Sequence, residues 1–205
     1  MVNLQSKMRG INLKIFSTIV FLFISIIINF FLLYKIDKKL FKISVIVIIA
    51  SNIVFYLLDC FLIKNEFFDY LAFNMLLSFL LSVTFEDIKS NLMDTRVIVG
   101  YFILFLIYRI IFLDVAIFLE GLIGFGLSLI ILLIAYFIKR NSIGIGDIEV
   151  IATCGMIIGF PNIFHFLFKA FLFVFIYGIF LMITKKKNTM TEIPLAPFLL
   201  LATIF

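Results

Sequence analysis

The chain has 205 residues, 65% of them hydrophobic and 14% charged, with a mean hydropathy of +1.29. Soluble domains are nearer half apolar, so this excess excludes a soluble globular protein and leaves a polytopic membrane protein. The net charge of +5 sits in short basic clusters between apolar runs, which is the pattern of membrane orientation and not of a nucleic-acid footprint.

In chain order the first apolar run, about Ile11 to Tyr34, follows Lys7, Arg9 and Lys14. It is too long for a secretory signal core and has no small-residue cleavage site, so the pattern predicts a retained helix. A second run from about Phe41 to Ile63 contains Asn52 and Asp59, whose expected role is interhelical hydrogen bonding. A third extends from Phe67 to Phe85, a fourth from Val97 to Leu113 and a fifth from Val115 to Ile138, with only Asp114 between the last two. Gly121, Gly124 and Gly126 in the fifth run are small residues that let neighbouring helices approach. The stretch from Ile148 to Phe160 is too short to span about 30 Å of hydrocarbon unless it begins in the preceding loop or is helped by its neighbours. Pro161-Asn162 predicts a turn, and a further run reaches Thr184. These runs predict an all-α bundle of about seven to eight transmembrane helices, a single integral membrane domain over residues 1–205 lying in the lipid bilayer.

Two places break the apolar text with carboxylates. One is Asn141-Ser142-Ile143-Gly144-Ile145-Gly146-Asp147-Ile148-Glu149-Val150, and the other is Phe85-Glu86-Asp87-Ile88-Lys89 followed by Met93-Asp94-Thr95-Arg96. An ionisable group placed beside apolar helices carries a free-energy penalty and is therefore a functional-site candidate. Without a Cβ, Gly144 and Gly146 permit conformations closed to other residues and let a substrate backbone come close. The bland alternatives are a turn whose Asp caps the next helix and a polar juxtamembrane loop.

Residues 144–160, with Gly144-Ile145-Gly146-Asp147 and the trailing Gly155 and Gly159, resemble the Gly-x-Gly-Asp segment of the type IV prepilin peptidase family. Asp87-Ile88-Lys89 is similar to that family's first catalytic segment, although Met93-Asp94-Thr95 stands where Pro and Asn are usual. That departure leaves Glu86 and Asp94 as competitors of Asp87. Ile193-Pro194-Leu195-Ala196-Pro197-Phe198 resembles the closing segment, where a proline-punctuated helix entry packs near the catalytic loop. The resemblance covers residues 76–205, and residues 1–70 hold additional helices outside it. It implies a membrane aspartic endopeptidase of the bacterial plasma membrane, with Asp87 and Asp147 catalytic and Gly144 and Gly146 in the loop that meets the substrate backbone. The implied substrate is a prepilin or pseudopilin cut on the cytoplasmic side, with no metal, cofactor or nucleic acid. Cys60 and Cys154 stand apart with no Cys-x-x-Cys pair, so the family's cysteine domain and its methylating activity have no counterpart in this sequence.

Orientation gives an independent check. If the third helix runs from outside to inside, the loops at 35–42, 86–96, 139–149 and 185–192 share the cytoplasmic side and hold 11 of the 17 basic residues, counting Lys35, Lys38, Lys39, Lys42, Lys89, Arg96, Lys139, Arg140 and Lys185 to Lys187. The positive-inside bias then places Asp87 and Asp147 on one side of the membrane. The three basic residues at the amino terminus fit this count badly. His165 and Lys169, four apart on one predicted helix face, are assigned no role. Two readings from other classes stay open: a proton-coupled transporter, because paired carboxylates also relay protons, and a non-catalytic scaffold of pilus or secretion assembly.

Overall fold

A computed structural model describes residues 67–90, 93–138, 143–184 and 193–204, together with Ile46. The first two expected runs, with Asn52, Asp59 and Cys60, lie outside the described residues. The chain divides into two compact units, Met1–Ser78 and Phe79–Phe205. In the first, the described segment is the opening of helix α1 (Phe67–Ser90), where Met75, Leu76, Leu77 and Ser78 are buried.

The second unit continues α1 and adds α2 (Thr95–Phe112), α3 (Val115–Ile138), α4 (Ile145–Ile158), α5 (Asn162–Ile183) and α6 (Ala196–Ile204). No strand occurs among the described residues. Two helices there, α3 with 24 residues and α5 with 22, are long and apolar enough to cross a membrane. At 1.5 Å per residue they reach about 36 and 33 Å.

Helix α4 is the centre of this unit. Its residues from Val150 to Ile157 are all buried, Thr153, Cys154 and Gly155 included, and a helix apolar on every side is a core element. With 14 residues it extends only about 21 Å. It begins inside the glycine loop, at Ile145, and its neighbours bury it.

The closest of these neighbours is α3. A Cβ placed on Gly155 would stand 2.5 Å from the Gly124 carbonyl oxygen, and one on Gly124 would stand 2.6 Å from that of Gly155. Gly121 faces the Met156 carbonyl at 2.7 Å in the same way. Only backbone without side chains can cross at that spacing. Gly126 departs from the expected packing role, since a Cβ there meets nothing within 4 Å. The reason is helical periodicity: positions 121, 124 and 128 share a face, while 126 points to the opposite side. Ser128 completes the packed face by donating from its hydroxyl to the Gly124 carbonyl at 2.7 Å.

Arg109, 3% exposed on α2, ties the end of this core remote from the glycine loop. Its guanidinium donates to the Ile117 carbonyl on α3 and, at 3.0 Å, to the Ile157 carbonyl on α4. It fits because Gly121 and Gly159 leave room, with a Cβ on either falling within 2.9 Å of the Arg109 side chain. Gly159, at φ 80°, ends α4 in a left-handed conformation that glycine adopts without strain. The fully buried rings of Phe79, Tyr101 and Phe105 join α1 to α2, with centroids 5.2 to 6.0 Å apart. Helix α6 lies against α5, where Tyr177 meets Phe198 at 5.3 Å between centroids.

Candidate active site

Asp87 lies in the last turn of α1 and is 4% exposed. Its Oδ2 accepts a hydrogen bond from the Ala196 amide at 3.0 Å, and the Leu195 amide donates to the same carboxylate. The local sequence explains these donors. The first amides of a helix have no intrahelical acceptor, Pro194 and Pro197 punctuate the entry to α6, and the amides left over are aimed at a carboxylate 109 residues away. Burial pushes the Asp87 carboxyl above its ordinary range, and the two amides oppose that rise in part.

Asp147 occupies the first turn of α4, directly after the glycine loop. Gly144 is the N-cap and has no side chain to cap with. Its amide donates to the Asp147 carboxylate, and a Cβ at Gly144 would stand 3.1 Å from Asp147 Oδ2. Burial, and then the negative charge of Asp87, push the Asp147 carboxyl up from 3.8 to about 6. Two carboxylates separated by 60 residues in sequence therefore sense each other in the fold. Both glycines of the loop border protein atoms: at Gly146 an added Cβ would meet the Met93 Cβ at 3.3 Å and its Sδ at 3.4 Å.

The segment after α1 has its own order. Glu86, 8% exposed, accepts the Asp94 amide at its Oε2 at 3.0 Å. Asp94 in turn caps α2, its Oδ1 accepting the Arg96 amide at 2.9 Å. Burial raises the Glu86 carboxyl to about 7; the Asp94 amide lowers it and the Asp94 charge raises it. The altered triplet thus has structural duties, with Met93 covering Gly146 and Asp94 starting a helix.

The sequence profile of the type IV leader peptidase family matches residues 74–179, just over half of the chain, and that stretch includes Asp87, the glycine loop and all of α4. The chain belongs to the type IV leader peptidase family. No curated protein and no solved structure matches it. Membership makes the chain a prepilin-peptidase-like protease of the aspartic type at family level, and the two long apolar helices agree with a membrane protein.

Within this leader peptidase, the sequence-predicted Asp87 and Asp147 come together with Gly144 and Gly146 at one end of α4. His165 and Lys169 are exposed on α5. Sequence reasoning missed the Leu195 and Ala196 amides as partners of Asp87, although the proline-punctuated entry was the visible signal for unpaired donors. It also missed Met93 as the cover of Gly146, for which the sequence carries no signal.

Proposed function

We propose that this peptidase is a membrane-embedded aspartic endopeptidase in which Asp87 and Asp147 form the catalytic dyad, and that it removes the leader of type IV prepilins or pseudopilins on the cytoplasmic side. The observation that carries the reading is the electrostatic coupling of the two carboxyls, with the Asp87 charge helping to hold Asp147 up to about 6. Burial raises the Asp147 carboxyl first and the Asp87 charge adds to it, so the pair keeps a proton up to about pH 6, where isolated aspartates would have lost theirs. Asp87 takes the ionised role, because the Leu195 and Ala196 amides support its charge. It withdraws a proton from the attacking water. Asp147 gives its proton to the oxygen of the scissile carbonyl, and as the tetrahedral intermediate collapses Asp87 passes its proton to the departing amine while a hydroxyl of the intermediate returns one to Asp147. The exposed edge at Gly144 and Ile145 is where the extended peptide lies, since Gly146 is occupied by Met93.

Residues 76–205 form the peptidase core within a bundle of seven to eight spans, oriented by the basic loops with the dyad toward the cytoplasm. The deciding experiment incubates purified protein with a prepilin and follows loss of the leader by mass spectrometry. Wild type cleaves, and Asp87→Asn and Asp147→Asn do not, since the amide keeps the shape and loses the titratable proton. Wild-type protein that binds prepilin without cutting it would instead favour the scaffold.

A further inference from the structure

The acidic side chain next to Asp87 is spent on geometry. We propose that Glu86 is a positioning residue for the dyad: by accepting the Asp94 amide it holds Met93 against Gly146 and so fixes the turn that presents Asp147. The inference rests on the dyad reading given above.

The chain of contacts is continuous. Glu86 Oε2 takes the Asp94 amide at 3.0 Å across eight residues, which closes the loop after α1 onto the end of that helix. The Asp94 carbonyl accepts the Val97 amide of α2 at 2.9 Å, so the start of α2 and the end of α1 hold one backbone position between them. Met93, one residue earlier, has its Cβ, Sδ and Cγ at 3.3, 3.4 and 3.6 Å from where a Gly146 Cβ would be. Gly146 is bonded to Asp147. A shift of the Asp94 backbone therefore moves Met93 off the glycine loop and frees the first turn of α4. Glu86 itself is 8% exposed, and burying a carboxyl is unfavourable unless its hydrogen bonds repay it. A surface loop held only for solubility would not need this residue turned inward. Glu86 reaches the dyad through backbone and Met93, and touches no reacting atom in the mechanism above.

The test compares Glu86→Ala, Glu86→Gln, Met93→Ala and the Glu86→Ala/Met93→Ala double variant as purified, folded protein cutting a prepilin. Misplacing a catalytic group by about 1 Å lowers the rate up to about 100-fold. Glu86→Ala should therefore lose about 10- to 100-fold in kcat with KM within about threefold, counted per folded molecule so that loss of folded protein does not enter the figure. Glu86→Gln should recover most of the turnover, because its amide oxygen still accepts from Asp94. Met93→Ala should fall comparably, and the double variant should be no worse than the weaker single, since both break one chain of contacts. Wild-type kcat in Glu86→Ala, additive losses in the double variant, or Glu86→Gln as slow as Glu86→Ala would each overturn the proposal. Should Glu86→Ala fail to accumulate as folded protein, Met93→Ala alone carries the test, and wild-type kcat there overturns it. Asp87→Asn and Asp147→Asn run beside these variants: cleavage by either defeats the dyad reading itself, whereas two inactive Asn variants beside an unaffected Glu86→Ala defeat only the positioning role.

Discussion

Asp147→Asn should abolish cleavage and at the same time stabilise the protein above neutral pH. In the fold the Asp147 carboxyl is raised from 3.8 to about 6, so the folded state holds its proton more tightly than the unfolded chain does. A carboxyl raised in this way contributes stability that is fully present below about pH 4 and lost as pH rises through about 6. The rise spans roughly two pH units at 1.36 kcal/mol each, or about 3 kcal/mol, and because the side chain is only partly buried, solvent screening trims this toward about 2 kcal/mol. Asn carries no such loss, since it never ionises, and its carbonyl oxygen can keep the Gly144 amide. For a chain of this size, 2–3 kcal/mol corresponds to a rise in midpoint on the order of 5–10 °C. The assay is thermal unfolding of detergent-solubilised wild type and variant at pH 4.5 and 7.5, alongside prepilin cleavage. The variant should gain on wild type mainly at pH 7.5. An equal difference at both pH values, or a variant melting below wild type at pH 7.5, would show that Asp147 is not held beside Asp87 in a desolvated site.

Activity should fall as pH rises through the titration of Asp147 at about 6 and fall again in acid as Asp87 gains a proton, giving a bell in kcat/KM; because Glu86 titrates at about 7, a profile of Glu86→Gln assigns the alkaline limb. Gly155→Ala should lower the melting midpoint by the equivalent of about 1–3 kcal/mol, since its Cβ would meet the Gly124 carbonyl at 2.5 Å. Gly126→Ala, with open space, should be neutral or stabilising by up to about 1 kcal/mol through helix propensity, and equal effects in the two variants would undo the assigned α3–α4 crossing. Arg109→Met should destabilise by about 1–3 kcal/mol for each of the Ile117 and Ile157 carbonyls it abandons, while kcat of the folded fraction stays near wild type because Ile157 lies ten residues along α4 from Asp147, about 15 Å away.

The parts of the fold legible in the sequence are those written in local text. Asp114 separates two apolar runs and the chain does turn there, with α3 spanning Val115–Ile138 as the run does. The short stretch after the glycine loop is expected either to begin in the loop or to be helped by its neighbours, and α4 starts at Ile145 and is buried by the helices around it. What stayed hidden depends on contacts between segments far apart. Met93-Asp94-Thr95 read as a weakened motif, because a sequence cannot show that Met93 lies over Gly146 or that Asp94 bonds Glu86. Gly121, Gly124 and Gly126 looked alike, and only the rotation of α3 against α4 separates the first two from the third. The two aspartates were singled out by motif, and the effect of the Asp87 charge on Asp147 needed the fold.

The helix ends around the two carboxyls of the proposed dyad treat a charge differently. Asp147 sits in the first turn of α4, where the helix dipole favours an anion by about 0.3–1 kcal/mol. Its carboxyl is nevertheless raised to about 6, so burial and the neighbouring charge outweigh the dipole by roughly 2 kcal/mol net after screening. Asp87 sits at the opposite kind of end, in the last turn of α1, where the dipole disfavours an anion. Burial and the dipole both favour its protonated form there. The start of α6 alters that balance: the Leu195 and Ala196 amides donate to Asp87, and charge-assisted bonds of this kind contribute about 1.5–3 kcal/mol each. The nine-residue α6 thus has a duty that its length does not suggest. It supplies a second helix amino terminus to a carboxylate stranded at a carboxyl terminus, and in the proposed mechanism that support is what assigns the proton to Asp147 and the charge to Asp87.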